Sequence, residues 1–338
     1  MTPTDLIVSV SPHIKHNTTV ATIMWTVVAC LIPPLILSVF VFGLQTLIIT
    51  LVSVGACVAT EAISNKLLKR PVRIRDGSAV ITGLLLAYII PPGVPCWTPV
   101  TGAVMAIFVT KALMGGLGFN IFNPALIGRA FLVATYPVVM TTAWLEPLRG
   151  ASLFKHLGPG VDAVSAATPL HVLKHHGMAA FIEKFGSLSS VYADFFVGLR
   201  PGCIGETSAL LLLLGGVFLI YKRYITWHIP VSVIASIALL TWVFGGEHLF
   251  SGNPLLAVLS GGVILGAFFM ATDYVTSPMV PKAMIIYGFG IGIITVVIRV
   301  YGAYPEGVSF AILIMNAFVP LMNTYIKPKR FGEEVKNG

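Results

Sequence analysis

Ten stretches of this chain are apolar enough, and close enough to the right length, to cross a lipid bilayer as helices, and that constrains the fold more than any other feature. They run approximately over 18–42, 44–66, 77–91, 98–114, 122–141, 205–221, 227–245, 254–272, 282–300 and 307–326. A helix rises about 1.5 Å per residue, so roughly 17 to 25 residues cross the ~30 Å hydrocarbon layer. Charged residues make up only 10% of the 338, whereas an ordinary soluble domain carries roughly a quarter. A soluble enzyme, a disordered chain and a secreted disulfide scaffold are therefore excluded. Cys30, Cys57, Cys96 and Cys203 show no CxxC or His/Cys metal spacing. The first 17 residues are polar and the first apolar run is too long for a signal-peptide core, so no cleavable leader is expected. The expected fold is an all-α polytopic membrane protein.

The net charge of +8 would suit a nucleic-acid partner, but its distribution reads as topology. With the N-terminus inside, cytoplasmic segments hold fourteen of the 21 cations, among them Lys66, Lys69, Arg70, Arg73, Arg75 and Lys111. Six, including Lys174, Arg200 and Arg299, fall outside, and Arg129 lies within a span. The positive-inside rule then places both termini in the cytoplasm and the one large polar insert on the outer face, with no nucleic-acid partner. Ten spans divide into two fives, and an odd-numbered unit that repeats must be inverted, as in many transporters. The expected organisation is an N-terminal five-helix repeat over 1–141, an extracytoplasmic insert over 142–203, and a C-terminal five-helix repeat with a basic tail over 204–338.

Ionisable groups inside a membrane are costly and are functional candidates by default. Glu61 sits late in the second span, Glu206 opens the sixth, Asp273 ends the eighth and Asp76 opens the third. Helix capping is the plainer reading for Asp76 and Glu206, and Glu61 can snorkel toward Lys66. Arg129 requires a carboxylate, a carbonyl or a bound anion. Asn123 before Pro124 reads as a helix N-cap; with Asn120 and Gly115, Gly116 and Gly118 nearby, it also makes a polar pocket plausible. Gly262 and Gly266 have helix-packing spacing, and His171 with His175 reads as a solvated helix face. In the insert, Thr168 precedes Pro169 and is biased to extended backbone. Ala166 and Ala167 leave room beside its hydroxyl.

Ser165-Ala166-Ala167-Thr168 resembles the flavinylation motif of the RnfD/NqrB family, which comprises membrane subunits of Rnf and sodium-pumping quinone reductase complexes. The likeness extends in order over about residues 70 to 320: Asp76-Gly77-Ser78, Gly118-Phe119-Asn120-Ile121-Phe122-Asn123-Pro124, Gly205-Glu206-Thr207-Ser208, Ala271-Thr272-Asp273-Tyr274-Val275-Thr276-Ser277-Pro278 and Tyr304-Pro305-Glu306-Gly307. The short N-terminus is closer to RnfD, and Ala163 departs from the usual Gly. The resemblance implies FMN joined to Thr168 by a phosphoester, installed by a separate flavin transferase, and a noncovalent riboflavin near Asn120 and Asn123. It implies a ten-helix, urea-transporter-like bundle in a prokaryotic inner membrane. Its partners would be the A, B, C, E and G subunits of Rnf, in a translocase passing electrons between ferredoxin and NAD coupled to Na+ or H+ movement. Glu61, Glu206 and Asp273 are the candidates for the ion pathway. Composition and topology alone leave open a channel or secondary transporter with a bare Thr168.

Overall fold

The computed structural model describes residues 18–71, 75–148, 169–246, 248–302, 304 and 306–327; every regular element among them is helical. The N-terminal part contains α1 (Val20–Phe42), α2 (Leu44–Leu67), α3 (Ser78–Tyr88), α4 (Trp97–Val104, continuing as a π-helix over Met105–Ala112), α5 (Pro124–Thr135) and α6 (Pro137–Thr142). Two helices follow from the insert, α7 (Pro169–Phe185) and α8 (Leu188–Val197), then a 3-10 turn, Ile204–Glu206. The C-terminal part contains α9 (Ala209–Tyr221), α10 (His228–Phe244), α11 (Pro254–Leu259), α12 (Val263–Leu265, continuing as a π-helix over Gly266–Met270), α13 (Pro281–Tyr301) and α14 (Val308–Tyr325). Four of these, α1, α2, α13 and α14, are long and apolar enough to cross a membrane alone, and shorter apolar helices lie among them. The protein is a multi-pass membrane protein.

Local chemistry sets many of the boundaries. Thr19 caps α1 by accepting from the Thr22 N–H (3.2 Å). Asn123 and Asn253 do the same for Ala125 (3.1 Å) and Leu256 (3.1 Å), each followed by a proline at the first helical position. A proline there loses no helical hydrogen bond, because the first N–H groups have no partner within the helix. Gly43, at φ 86°, is the only residue between α1 and α2, a reversal that a β-carbon would strain.

Contacts between helix ends fix the path. At one end the Tyr274 hydroxyl donates to the Tyr224 carbonyl just past α9, and the Met279 N–H donates to Asn323 late in α14 (3.3 Å). Asn123, at the start of α5, donates to the Met270 carbonyl where the second π-helix stops (3.3 Å). At the other end the Leu148 N–H reaches the Val41 carbonyl (2.7 Å), and the Gly93 N–H reaches Ala143 (3.1 Å). The chain therefore runs from the first end to the second in α1, α3, α5, α10 and α13, and returns in α2, α4, α9, α11–α12 and α14.

Three features differ from the sequence expectation. The fifth stretch is interrupted at Tyr136, ahead of Pro137. The eighth breaks in its middle rather than only at its end, because Ser260 is extended and Gly261 and Gly262 adopt φ 65° and 66°. Gly262 thus lies outside a helix, and the Gly262/Gly266 pair is not a packing stripe. The close helix contact is made instead by Gly288 and Gly292 of α13. A β-carbon on either would run into the hydroxyl oxygen of Ser232 or Ser236 on α10. Small residues at such spacing let helix backbones approach where no hydrophobic force drives them together.

Gly83 of α3 meets the backbone of α2. A β-carbon there would lie 2.6 Å from Val54 Cα, and the Ser53 hydroxyl donates to the Gly83 carbonyl at 2.7 Å. Gly83→Ala must push two backbones apart, and overpacking of this kind costs about 1–3 kcal/mol. Gly55, on the open side of α2, has nothing within 4 Å of the place a β-carbon would take. Thermal unfolding of the detergent-solubilised protein should therefore show a lowered midpoint for Gly83→Ala and no loss for Gly55→Ala.

Candidate functional site

Two polar constellations sit at opposite ends of the helices. At the first end, Lys111 in the π-helix of α4 is 4% exposed and Glu61 of α2 is 6% exposed. The Lys111 ammonium donates to Glu61 Oε1 (2.6 Å) and to Ser78 Oγ (2.7 Å). Ser78 in turn donates its hydroxyl to Asp76 Oδ1 (2.8 Å), which also accepts the Ser78 N–H (3.0 Å). Asp76 thus closes the turn into α3. By sequence Lys111 counts with the cytoplasmic segments and Glu61 turns toward Lys66; the structure instead buries both and pairs them. A charge in hydrocarbon demands a counter-charge more than it demands length to reach water.

A cleft opens beside this pair, with about 90 Å3 enclosed and about 810 Å3 including its open mouth. Its polar lining comprises Ser78, Lys111, Asn120, Asn123, Thr272 and Asp273, and its apolar lining includes Phe268, Phe269 and Leu85. Asn120 and Asn123, distant from Asp273 in sequence, are thus brought to one cavity with it. The Asn120 amide donates to the Phe122 carbonyl (3.1 Å), while its buried Oδ1 has no partner. Asn123 spends its oxygen on the α5 cap and its nitrogen on Met270. Asn316 of α14, its amide oxygen toward the Asn123 N–H (3.1 Å), donates to Tyr287 Oη (2.6 Å) and to the Thr276 carbonyl (3.2 Å). Asp273 accepts from the Thr276 hydroxyl (3.2 Å). The loop after the second π-helix is therefore pinned to the start of α5.

At the second end Arg129 pairs with Glu306, the carboxylate that its position within a span requires. Glu206 lies in the buried 3-10 turn. Arg200 donates to the Glu206 carbonyl through Nε (3.2 Å) and a terminal nitrogen (3.0 Å), and its charge stands 4.0 Å from the Glu206 carboxylate. Cys203, Glu206 and Glu306 bring their ligand atoms within 4.8 Å of one another. Arg129, Arg200 and Arg299 outnumber the two carboxylates there, so the group as it stands carries a net positive charge. The cation pattern places Arg299 on the outer side. The structure holds it part-buried on α13, donating to the Ala257 (2.7 Å) and Ser260 (3.0 Å) carbonyls where the broken helix α11 ends.

Close by is a cavity of about 550 Å3, lined by Leu170, Lys174, His248, Asn253 and Arg299 among others. Lys174 of α7 donates to the Gly302 carbonyl (2.5 Å), docking the insert on α13. His175 is exposed. Ser165, Ala167 and Thr168 lie outside the described residues, as do the side chains of His171 and His176.

Sequence reasoning missed Lys111 and Glu306 as partners. Lys111 is followed by Ala112, Leu113 and Met114 before the first Gly, a sign that it still lies within the span. No local signal links Arg129 to a residue 177 positions away.

Comparison with known proteins covers nearly the whole chain. The family model described as NQR2, RnfD, RnfE family matches residues 7–332. The chain is 46% identical over 326 residues to the D subunit of the proton-translocating ferredoxin:NAD(+) oxidoreductase complex of Clostridium ljungdahlii, covering 96% of each chain. It is 44% identical over 334 residues to the D subunit of the Na(+)-translocating ferredoxin:NAD(+) oxidoreductase complex of Acetobacterium woodii, covering 98% of this chain and 97% of that one. The D subunit of the ion-translocating oxidoreductase complex of Vibrio cholerae is 37% identical over 349 residues, covering 95% and 98%. With likeness of this extent, the chain belongs to the NQR2, RnfD, RnfE family.

Proposed function

We propose that the chain is the RnfD-type subunit of an Rnf complex that passes electrons between ferredoxin and NAD and couples them to Na+ or H+ translocation. The observation that carries this reading is 46% and 44% identity, over 96% and 98% of this chain, with the corresponding subunits of such complexes. In the complex, the A, B, C, E and G subunits would be its neighbours, and the cytoplasmic membrane its location, with both termini inside. The alternating path of the helices supports ten spans in two inverted five-helix repeats. The orientation derived from cation counts would put the cavity near α7 on the outer face.

Thr168 is the proposed attachment point for FMN, with Ser165 and Ala167 completing the motif that a flavin transferase reads. Leu170, two residues further on, lines the 550 Å3 cavity, and two residues span at most about 7 Å. A flavin tethered there could reach that cavity, where Lys174 and Arg299 suit an anionic phosphate or ring edge. The cleft at the first end suits a second, noncovalent riboflavin. It combines aromatic walls with a buried, unpartnered acceptor on Asn120, and a flavin ring offers an N–H donor between two carbonyls. Flavins supply one- and two-electron transfer when bound; the protein's own part is to hold them and exclude water. Glu61, Glu206 and Asp273 are the proposed carboxylates of the ion route, Glu61 first among them because one of its oxygens is buried without a partner.

Purified protein co-expressed with the flavin transferase should give a fluorescent band that survives SDS, and intact mass should show one FMN. Thr168→Val should abolish both, and a dark band from the unaltered chain would overturn the assignment. Asn120→Leu should lose most of the acid-extractable riboflavin while keeping the SDS-resistant fluorescence. Glu61→Gln should lower ions moved per electron at least several-fold with both flavins retained, as measured on the complex in liposomes.

A further inference from the structure

The place where Lys111 meets Glu61 has the chemistry of a cation site filled by a side chain. Two oxygens converge on the ammonium, Glu61 Oε1 at 2.6 Å and Ser78 Oγ at 2.7 Å. The serine hydroxyl hydrogen is spent on Asp76, so the oxygen presents a lone pair to whatever lies opposite. Glu61 Oε2 is buried and has no partner, so the carboxylate holds binding capacity that the lysine does not use. Buried acceptors without partners are rare and require an explanation. A well-packed ion pair kept only for stability would satisfy both oxygens.

We propose that both oxygens of Glu61 and the hydroxyl of Ser78 form a Na+ site in which the Lys111 ammonium is a tethered stand-in, displaced into the adjoining cleft when Na+ enters. The inference rests on the reading that this subunit takes part in ion translocation. Lys111 also lines the cleft, as does Asp273, so a carboxylate faces the same cavity into which the ammonium would turn. Charge is conserved by the exchange: Glu61 faces one cation before and one after, and is never left bare in a low-dielectric setting. An empty site is therefore disfavoured, which opposes passive leak. A proton is the weaker fit, since protonating Glu61 calls for no second oxygen ligand, whereas Ser78 is held in place as one. Lys111 sits on a π-helix, a geometry that is rare and recurs at functional sites.

The exchange can be read in the unaltered complex. A buried, ion-paired ammonium reacts poorly with amine-directed reagents, and a displaced one reacts readily. At fixed pH and ionic strength, labelling of Lys111, quantified by peptide mass spectrometry, should rise at least threefold when choline chloride is replaced by NaCl. Ser78→Ala should shift the Na+ midpoint of Lys111 labelling upward about tenfold. Glu61→Gln should make labelling high and independent of Na+. Na+-insensitive labelling in a complex whose electron transfer drives 22Na+ uptake overturns this proposal and leaves the subunit's role standing. Electron transfer without any 22Na+ uptake overturns the choice of Na+, and the proposal with it. Loss of flavin and electron transfer from the unaltered complex overturns the reading beneath both.

Discussion

A helix that stops inside a membrane leaves carbonyls and N–H groups that no water can reach, and this protein has several such ends. Each broken segment is closed by a particular side chain. Arg299 takes the Ala257 and Ser260 carbonyls at the end of α11. Asn123 takes Met270 where the second π-helix ends, and Arg70 takes Ala112 where the first one does (2.8 Å). Arg200 takes Glu206 at the 3-10 turn. Many of the polar residues that a membrane chain would otherwise exclude are accounted for by this requirement. Seven buried side-chain atoms among the described residues have no partner, and two of them, Glu61 Oε2 and the acceptor of Asn120, lie at or beside the cleft.

The same closures bind the two parts of the chain together. Arg129 of α5 holds Glu306 ahead of α14, and Asn316 of α14 receives the Asn123 N–H at the start of α5. Asn123 therefore caps its own helix, anchors the end of α12 and is itself anchored by α14. A motif that reads locally as a helix start is thus a three-way junction. The cleft inherits its shape from that junction, because the residues after Met270 form one of its walls.

The helices are legible in the sequence because each depends on its own hydropathy, and the caps at Thr19, Asn123 and Asn253 depend only on the next few residues. The interruption at Ser260–Gly262 is hidden, since an apolar run with two glycines reads equally well as a continuous helix. Partners are hidden for a different reason. Glu61 and Lys111 are 50 residues apart, and their meeting is decided by which faces of α2 and α4 turn together, a property of packing. A lysine near a span's end usually reaches water; here the π-helix and Glu61 keep it in. Gly288 and Gly292 carry no signal of their own because glycine is common in such helices, and only the backbone of α10 opposite gives the pair meaning.

Burying Glu61 and Lys111 is costly. Well-packed apolar side chains of similar volume often serve stability as well as a buried ion pair or better, and removing one partner alone costs about 3–5 kcal/mol. Stability therefore does not explain the pair. What the pair adds, and shape cannot, is a position that must always hold one positive charge and does not dictate which. Beside an open cleft with a second carboxylate, such a position can exchange its occupant without passing through a bare anion. That property accounts for both the burial of the pair and the oxygen it leaves unused.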